Sequence, residues 1–345
     1  MVKIISDRAV VTGLSKMAEE RRRKKAWCKM HGKQAHGEDL MSRLQARVGT
    51  LRQLEILLAV YQTGSVTAAA QQLFLTQPTV SMQLKKLADA IDAPLYDQIG
   101  RKLIFTQAGL EVVKTAREVL NCFDRLDMNL ADLRGLKTGT LKLAVVTTSK
   151  YFIPHLLGDF LSHYPNIDVE FKVGNRQQII DRMSSGEDDF YVFSHPPKNR
   201  DLDLHEFLPN PLVAIAKTDH PLAQEQAIPL QRFCDEPFLM REQGSGTRHA
   251  IERHFEARTI TPNIRMTIES NEAIKHAVMS GLGVSILSSH TLAFEGSHGL
   301  VQLQVEDLPI MTKWYLASLR EKEMSVVART FMEYVDLHSQ DSLQP

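Results

Sequence analysis

"FLTQPTVSMQLKKLADAI", residues 74 to 91, sets a proline beside the start of what otherwise reads as a helix. Thr76 suits the capping position, and Pro78 breaks nothing in a first turn whose amides have no intrahelical partner. At about 100° per residue, Val80, Leu84, Leu87 and Ile91 fall on one stripe. Pro78, Met82, Lys85, Lys86 and Asp89 point the other way, with Gln77, Thr79 and Ser81 on the flanks. One face is suited to burial and the other is offered to something outside.

Upstream, "LRQLEILLAVYQTG" carries Leu54, Leu57, Leu58 and Tyr61 on one side, and "GSVTAAAQQLF" begins a small-residue helix capped by Ser65. Two short helices followed by a third with an exposed polar face predict a helix-turn-helix, whose last helix enters a major groove amino end first. "RKLIFTQAG", residues 101 to 109, adds a basic strand-like segment that forms a wing, which completes an all-α winged unit over 51–109. Gln77, Pro78, Thr79, Ser81 and Met82 are expected to face base edges. Lys85, Arg101, Lys102 and Thr106 are expected to hold phosphates, which position a protein without reading sequence.

After the wing, Val112, Ala116, Val119, Phe123, Leu126, Leu130 and Leu133 recur at spacings of 4, 3, 4, 3, 4 and 3. This heptad seam predicts a dimerising linker helix over 110–139, about 40 Å long at 1.5 Å per residue. A single domain using the same stripe as core is the alternative. From residue 140 strands and helices alternate, which implies an α/β unit with parallel strands and crossover helices. "PNIDVEFKVGNRQQIIDRMSSGEDDFYVF" at 165 echoes "PNIRMTIESNEAIKHAVMSGLGVSIL" at 262, so two lobes of common design are expected. Lobe I is set at about 140–212 and 318–337, and lobe II at about 213–317.

In open α/β sheets ligands sit outside the carboxyl ends of strands, where helix amino termini converge. Four such junctions are visible: Thr147, Thr148 and Ser149; Asn175, Arg176 and Gln177; Ser245, Gly246, Thr247 and Arg248; and Ser270, Asn271 and Glu272. Hydroxyls, free amides and two arginines facing one cleft favour a small anionic metabolite. His195, after a strand, joins the candidate lining. The competing explanation for each polar residue is that it caps its own helix. "GSGT" lacks the spaced glycine and lysine of a nucleotide-hydrolase phosphate loop.

The 345 residues balance 41 basic against 41 acidic side chains, so any attraction to nucleic acid must be local. No apolar run approaches the roughly 18 residues of a membrane span, and the chain is expected in the cytoplasm without a membrane partner. Cys28, Cys122 and Cys234 show no metal spacing, the 13 histidines form no motif, and neither a metal site nor a catalytic residue is expected. Residues 1–50 hold 12 Lys/Arg against 5 Asp/Glu, including "RRRKK", and read as a disordered basic extension. Two explanations stand for it: an arm on DNA phosphates, or an over-long translation start with Met41 the natural beginning.

From Leu51 to Leu337 the order of these parts resembles a LysR-type transcriptional regulator, most specifically in the stretch "LRQLEILLAVYQTGSVTAAAQQLFLTQPTVSMQLKKLADAIDAPLYDQIGRKLIFTQAG". Within that family, "TQPTVSMQLKKL", "KVGNRQQ", "REQGSGTR", "SNEAIKHAV" and "GLGVSILSSHTLAFEG" resemble regulators of Calvin-cycle and RuBisCO operons. The resemblance implies a two-lobed effector domain like periplasmic binding proteins, and a homodimer paired into a homotetramer on promoter DNA. It further implies RNA polymerase as a partner, no cofactor, and a coinducer such as ribulose 1,5-bisphosphate, phosphoenolpyruvate or NADPH. Gln98 departs from the family, where many members carry arginine, which puts one wing contact in doubt. A regulator of another metabolic operon, a cytoplasmic solute-binding protein and an enzyme on the same lobes are the rival readings.

Overall fold

The computed structural model describes residues 50–99, 102–198, 200–293 and 299–338. The basic extension up to residue 49, Cys28 and Arg101 lie outside the described residues. The chain divides into two units, Met1–Leu120 and Asn121–Pro345.

The first unit is built from helices α1 (Leu51–Thr63), α2 (Val66–Gln72) and α3 (Gln77–Ile91) and the antiparallel hairpin β1 (Tyr96–Ile99) and β2 (Lys102–Phe105). Thr76 caps α3 by accepting from the Thr79 amide, and Ser65 caps α2 by accepting from Ala68. Val80, Leu84 and Leu87 are buried, and Ile91 packs at the margin of the same core. Helix α1 buries more than one stripe: Ile56, Ala59 and Val60 are as enclosed as Leu54 and Leu57, because neighbours flank α1 on both sides. Gln53 donates to the Gln83 side-chain oxygen at 2.8 Å, a polar tie between α1 and α3.

Helix α4 (Gln107–Asp132) is one continuous helix of 26 residues that crosses the boundary between the units. The expected seam divides along it. Ala116 is 0% exposed, and Val112 and Val119 pack against the core of the first unit. These three residues therefore belong to the domain core, as the alternative reading of the stripe had it. Phe123, Leu126 and Leu130 are 48, 49 and 45% exposed, and Leu133, just beyond the helix end, is 85% exposed. Gly109 is required in the first turn of α4, since a Cβ there would lie 1.8 Å from the Leu95 carbonyl oxygen.

In the second unit a seven-stranded sheet follows the order β10-β6-β11-β5-β3-β4, with β9 on β6. Its strands are β3 (Gly139–Val146), β4 (Ile167–Gly174), β5 (Phe190–Phe193), β6 (Leu202–Lys217), β9 (Ser285–Ser288), β10 (Leu300–Gln302) and β11 (Ile310–Leu319). β3 pairs in parallel with β4 and β5, as the alternation predicts. β6 and β11 pair antiparallel over Leu202–Leu212 and Ile310–Leu319, because the chain leaves lobe I along one and returns along the other. Phe207, Leu208, Trp314 and Leu316 share a core with helix α5 (Ile153–His163) and the carboxy-terminal helix α11 (Val326–His338). Leu212, Ala214 and Ala216 lie instead in the lobe II core. The return into lobe I thus begins by Trp314, earlier than the expected residue 318. At the crossing, buried Asn210 accepts from the Ser288 hydroxyl at 2.7 Å, and its carbonyl accepts from Thr312 at 2.7 Å. In lobe II, β7 (Phe238–Arg241) pairs in parallel with β8 (Ile264–Ile268), and two short helices, α7 (Leu230–Cys234) and α10 (His290–Ala293), precede β7 and follow β9.

Leu84→Ala removes a 1%-exposed side chain from the three-helix core. It should lower the unfolding free energy of the first unit by about 2–5 kcal/mol, whereas Met82→Ala, at a site 47% exposed, should change it by less than about 0.5 kcal/mol. Denaturant unfolding followed by circular dichroism reads both.

Candidate functional site

The outward face of α3 carries Gln77, Pro78, Met82 and Lys85, all exposed, with Thr79 and Ser81 half-buried beside them. Its polar groups are prearranged: the Thr76 and Thr79 hydroxyls lie 2.8 Å apart, and Gln77 Nε2 donates to Ser81 Oγ at 3.1 Å. Lys102 is exposed on the hairpin. Thr106 has a different setting. Its hydroxyl donates to the Pro94 carbonyl at 2.6 Å and accepts from the Gly109 amide at 3.0 Å, so it caps α4 and its one proton is already committed.

In the second unit, the short 3-10 turn Thr147–Tyr151 follows β3, helix α6 (Arg176–Ser184) follows β4, α8 (Gly246–Glu256) follows β7, and α9 (Asn271–Met279) follows β8. The starts of the turn, α6 and α8 meet at a cleft lined by Thr147, Thr148, Arg176, Ser194, His195, Arg241, Glu242, Ser245, Gly246 and Thr247, with a free volume of about 20 Å³. Of the residues expected to line it, Thr147, Thr148, Arg176, His195, Ser245, Gly246 and Thr247 do so. Gly246 is confined there, since a Cβ would meet Ser194 Oγ at 2.7 Å.

The others have local tasks or hold the lobes together, Ser270 by capping α9 as acceptor from the Ala273 amide. Ser149 is buried and donates to the Val146 carbonyl at 2.7 Å. Asn175 caps α6 in a reciprocal capping box with Gln178, and exposed Gln177 donates to Asp181. Arg248 pairs with Glu252 one turn on and donates to the Arg241 carbonyl, away from the lining. Asn271 donates to Thr148 Oγ1 at 3.1 Å, and its oxygen accepts from Arg241. Glu272 forms an ion pair with Lys150. The two last contacts join lobe II to lobe I.

Arg241 was missed by the sequence reading, although it begins the quoted "REQGSGTR". It is the last residue of β7, 2% exposed, and its guanidinium grips Glu242 in two bonds, Nε to Oε2 at 2.8 Å and Nη2 to Oε1 at 2.9 Å. The rule that ligands sit at strand ends pointed to it; a reading centred on helix starts chose Arg248 instead. Arg176 donates Nε and Nη2 to the His195 carbonyl, each at 3.3 Å.

Burial and neighbouring charges set the ionisation of the groups at and beside the cleft. Burial, then the nearby His249, Arg253, Arg176 and Lys198, push the His195 pKa down to about 4, so its ring is neutral at pH 7. Its Nδ1 is buried without a hydrogen-bond partner. Ser245 starts α8 without capping it by its side chain, which leaves that hydroxyl beside the amino end of an 11-residue helix. Burial opposes ionisation of Glu272, but hydrogen bonds from Lys150, Tyr151, its own amide and Ser270 outweigh it and hold its pKa at about 2. Among the described residues there is no group of three or more His, Cys, Asp or Glu that could hold a metal, and no helix long and apolar enough to cross a membrane. Burial, with Asp235 adding to it, pushes the Cys234 thiol up to about 12, which makes it inert.

Two family models match the chain: "Bacterial regulatory helix-turn-helix protein, lysR family" over residues 51–110 and "LysR substrate binding domain" over 134–339. The chain is 49% identical to the HTH-type transcriptional activator CmpR of Synechocystis over 84% of its length and 96% of that protein. It is 39% identical to the RuBisCO operon transcriptional regulator of Acidithiobacillus ferrooxidans, over 86% of its length and 97% of that protein. The solved Synechocystis CcmR regulatory domain in complex with 2-PG is 47% identical, with a TM-score of 0.57 over 59% of this chain and 99% of that one. Full-length CbnR complexed with its target DNA shares the fold at 21% identity, with a TM-score of 0.62 over 84% of this chain and 99% of that one. The chain belongs to the LysR family of bacterial regulatory helix-turn-helix proteins.

Proposed function

We propose that this LysR-type DNA-binding regulator activates a carbon-fixation operon of the kind that encodes RuBisCO, in response to a small anionic metabolite bound between its two lobes. One observation carries the reading: Arg176, Arg241 and the start of α8 converge with the Ser245 and Thr247 hydroxyls on one cleft. Two guanidinium groups, helix amides and a neutral imidazole suit a compact carboxylate or phosphate. The ligand of the CcmR regulatory domain, 2-PG, and the names of the RuBisCO operon regulators support the same class and target.

On DNA, Gln77, Pro78, Thr79, Ser81 and Met82 face bases, while Lys85, Lys102 and Arg101 hold phosphates; Thr106 instead supports the wing. The exposed Phe123, Leu126, Leu130 and Leu133 join two subunits, and paired dimers give a homotetramer that contacts RNA polymerase. Lys85→Ala should weaken binding to every duplex and lower the slope of log affinity against log salt by about one. Ser81→Ala should change site preference instead. Fluorescence anisotropy across a salt series reads the first and a binding-site selection reads the second; an unchanged preference removes Ser81 from the reading face.

Calorimetric titration of the full chain with 2-PG, ribulose 1,5-bisphosphate, phosphoenolpyruvate and NADPH should show saturable heat for at least one of them. Arg176→Ala should weaken that binding about ten- to a hundredfold, as loss of a hydrogen bond to a charged group does. No heat with any of the four, together with no change in promoter binding on adding them, contradicts the effector assignment.

The closed arrangement is held partly by Lys150 on Glu272. Because the Glu272 pKa is depressed from 4.5 to about 2, its stabilising contribution is full above about 4.5 and is lost as pH falls toward 2. Thermal melts of wild type and Glu272→Gln should therefore differ most at neutral pH and converge steadily below pH 4.5. A difference that grows on acidification contradicts the pairing.

A further inference from the structure

The cleft as it stands holds its own anion. Arg241 is 2% exposed, and a guanidinium that deep requires a counter-charge, since an uncompensated buried charge is strongly destabilising. Glu242 supplies it by a two-bond, side-on pairing of the kind a ligand carboxylate or phosphate makes with arginine. Glu242 is itself part of the cleft lining, and its side chain is 21% exposed, so it sits at the edge with solvent within reach. As it stands the cleft has a free volume of about 20 Å³, room for about one water molecule, and Glu242 forms part of its wall.

We infer that Glu242 is a built-in competitor for the effector: an incoming anion takes Arg241 from Glu242, and the displaced carboxylate turns out toward solvent. This rests on the effector reading given above and states how that site is regulated. Arg241 is well placed to transmit the exchange. The same guanidinium donates to the Asn271 oxygen, and Asn271 in turn donates to Thr148 in the opposite lobe at 3.1 Å. Changing the partner of Arg241 therefore bears directly on the bridge that joins the lobes. The exchange also sets specificity. Only a ligand that offers Arg241 at least as good a pair of oxygens as Glu242 displaces it, and neutral or singly hydrogen-bonding analogues leave the cleft occupied by Glu242.

Two probes, inorganic phosphate and 2-PG, are titrated by calorimetry into the full-length wild type and into Glu242→Gln. The amide keeps the shape of the side chain but removes its charge and half of its acceptor capacity. Affinity for phosphate and for 2-PG should rise about tenfold in the variant, equivalent to ~1.4 kcal/mol of lost competition. Glu242→Asp, too short for the two-bond grip, should move in the same direction by a smaller factor, and it serves if Glu242→Gln fails to fold. Equal or weaker phosphate binding in the variants overturns the inference, as does an absence of phosphate binding in all three proteins. If 2-PG binds none of them while phosphate still binds the variants more tightly, the exchange stands and the effector identity is what fails.

Discussion

A buried guanidinium cannot be left alone, and Arg241 satisfies that constraint with partners drawn from three places. Glu242 beside it supplies the charge, the Glu269 carbonyl accepts at 3.5 Å, and the Asn271 oxygen links it to Thr148 in the other lobe. This chain of contacts ties the cleft wall at Arg241 to the opposite lobe. Remove the charge and the guanidinium is stranded in a site with little room for water; remove Asn271 and the link between the lobes is cut there.

The chain of contacts has leverage because of how the second unit is connected. β6 and β11 run through both lobes, so each lobe has its own core on either side of a narrow crossing at 209–213 and 310–314. In a protein with two degrees of lobe closure, a ligand shifts the balance only by its difference in affinity between the two arrangements. Polar side chains at the crossing, Asn210 with Ser288 and Thr312, keep the backbone satisfied where neither core covers it.

Much of this was legible in the order of residues. Thr76, Pro78 and the Val80, Leu84, Leu87 stripe gave the start, the face and the burial of α3, because capping and helical period are local rules. The parallel pairing of β3 with β4 and β5 followed from alternation. What the sequence hid depended on tertiary context. The heptad spacing ran unbroken through Ala116 and Leu126, yet the first is enclosed by its own domain and the second is exposed, a difference that no period encodes. Thr106 sits where a phosphate contact was expected, but a carbonyl 12 residues earlier takes its proton. Arg248 and Arg241 were equally visible in "REQGSGTR". Helical phase turned the first toward Glu252, and the strand end aimed the second into the cleft.

Amide hydrogen exchange with and without 2-PG tests the central claim most directly, since protection reports local opening segment by segment. Slowed exchange is expected in 146–151 and 241–247, which line the cleft, together with 270–274, which is bonded to both. Slowing confined to other segments, with these three unchanged at saturating ligand, would contradict it.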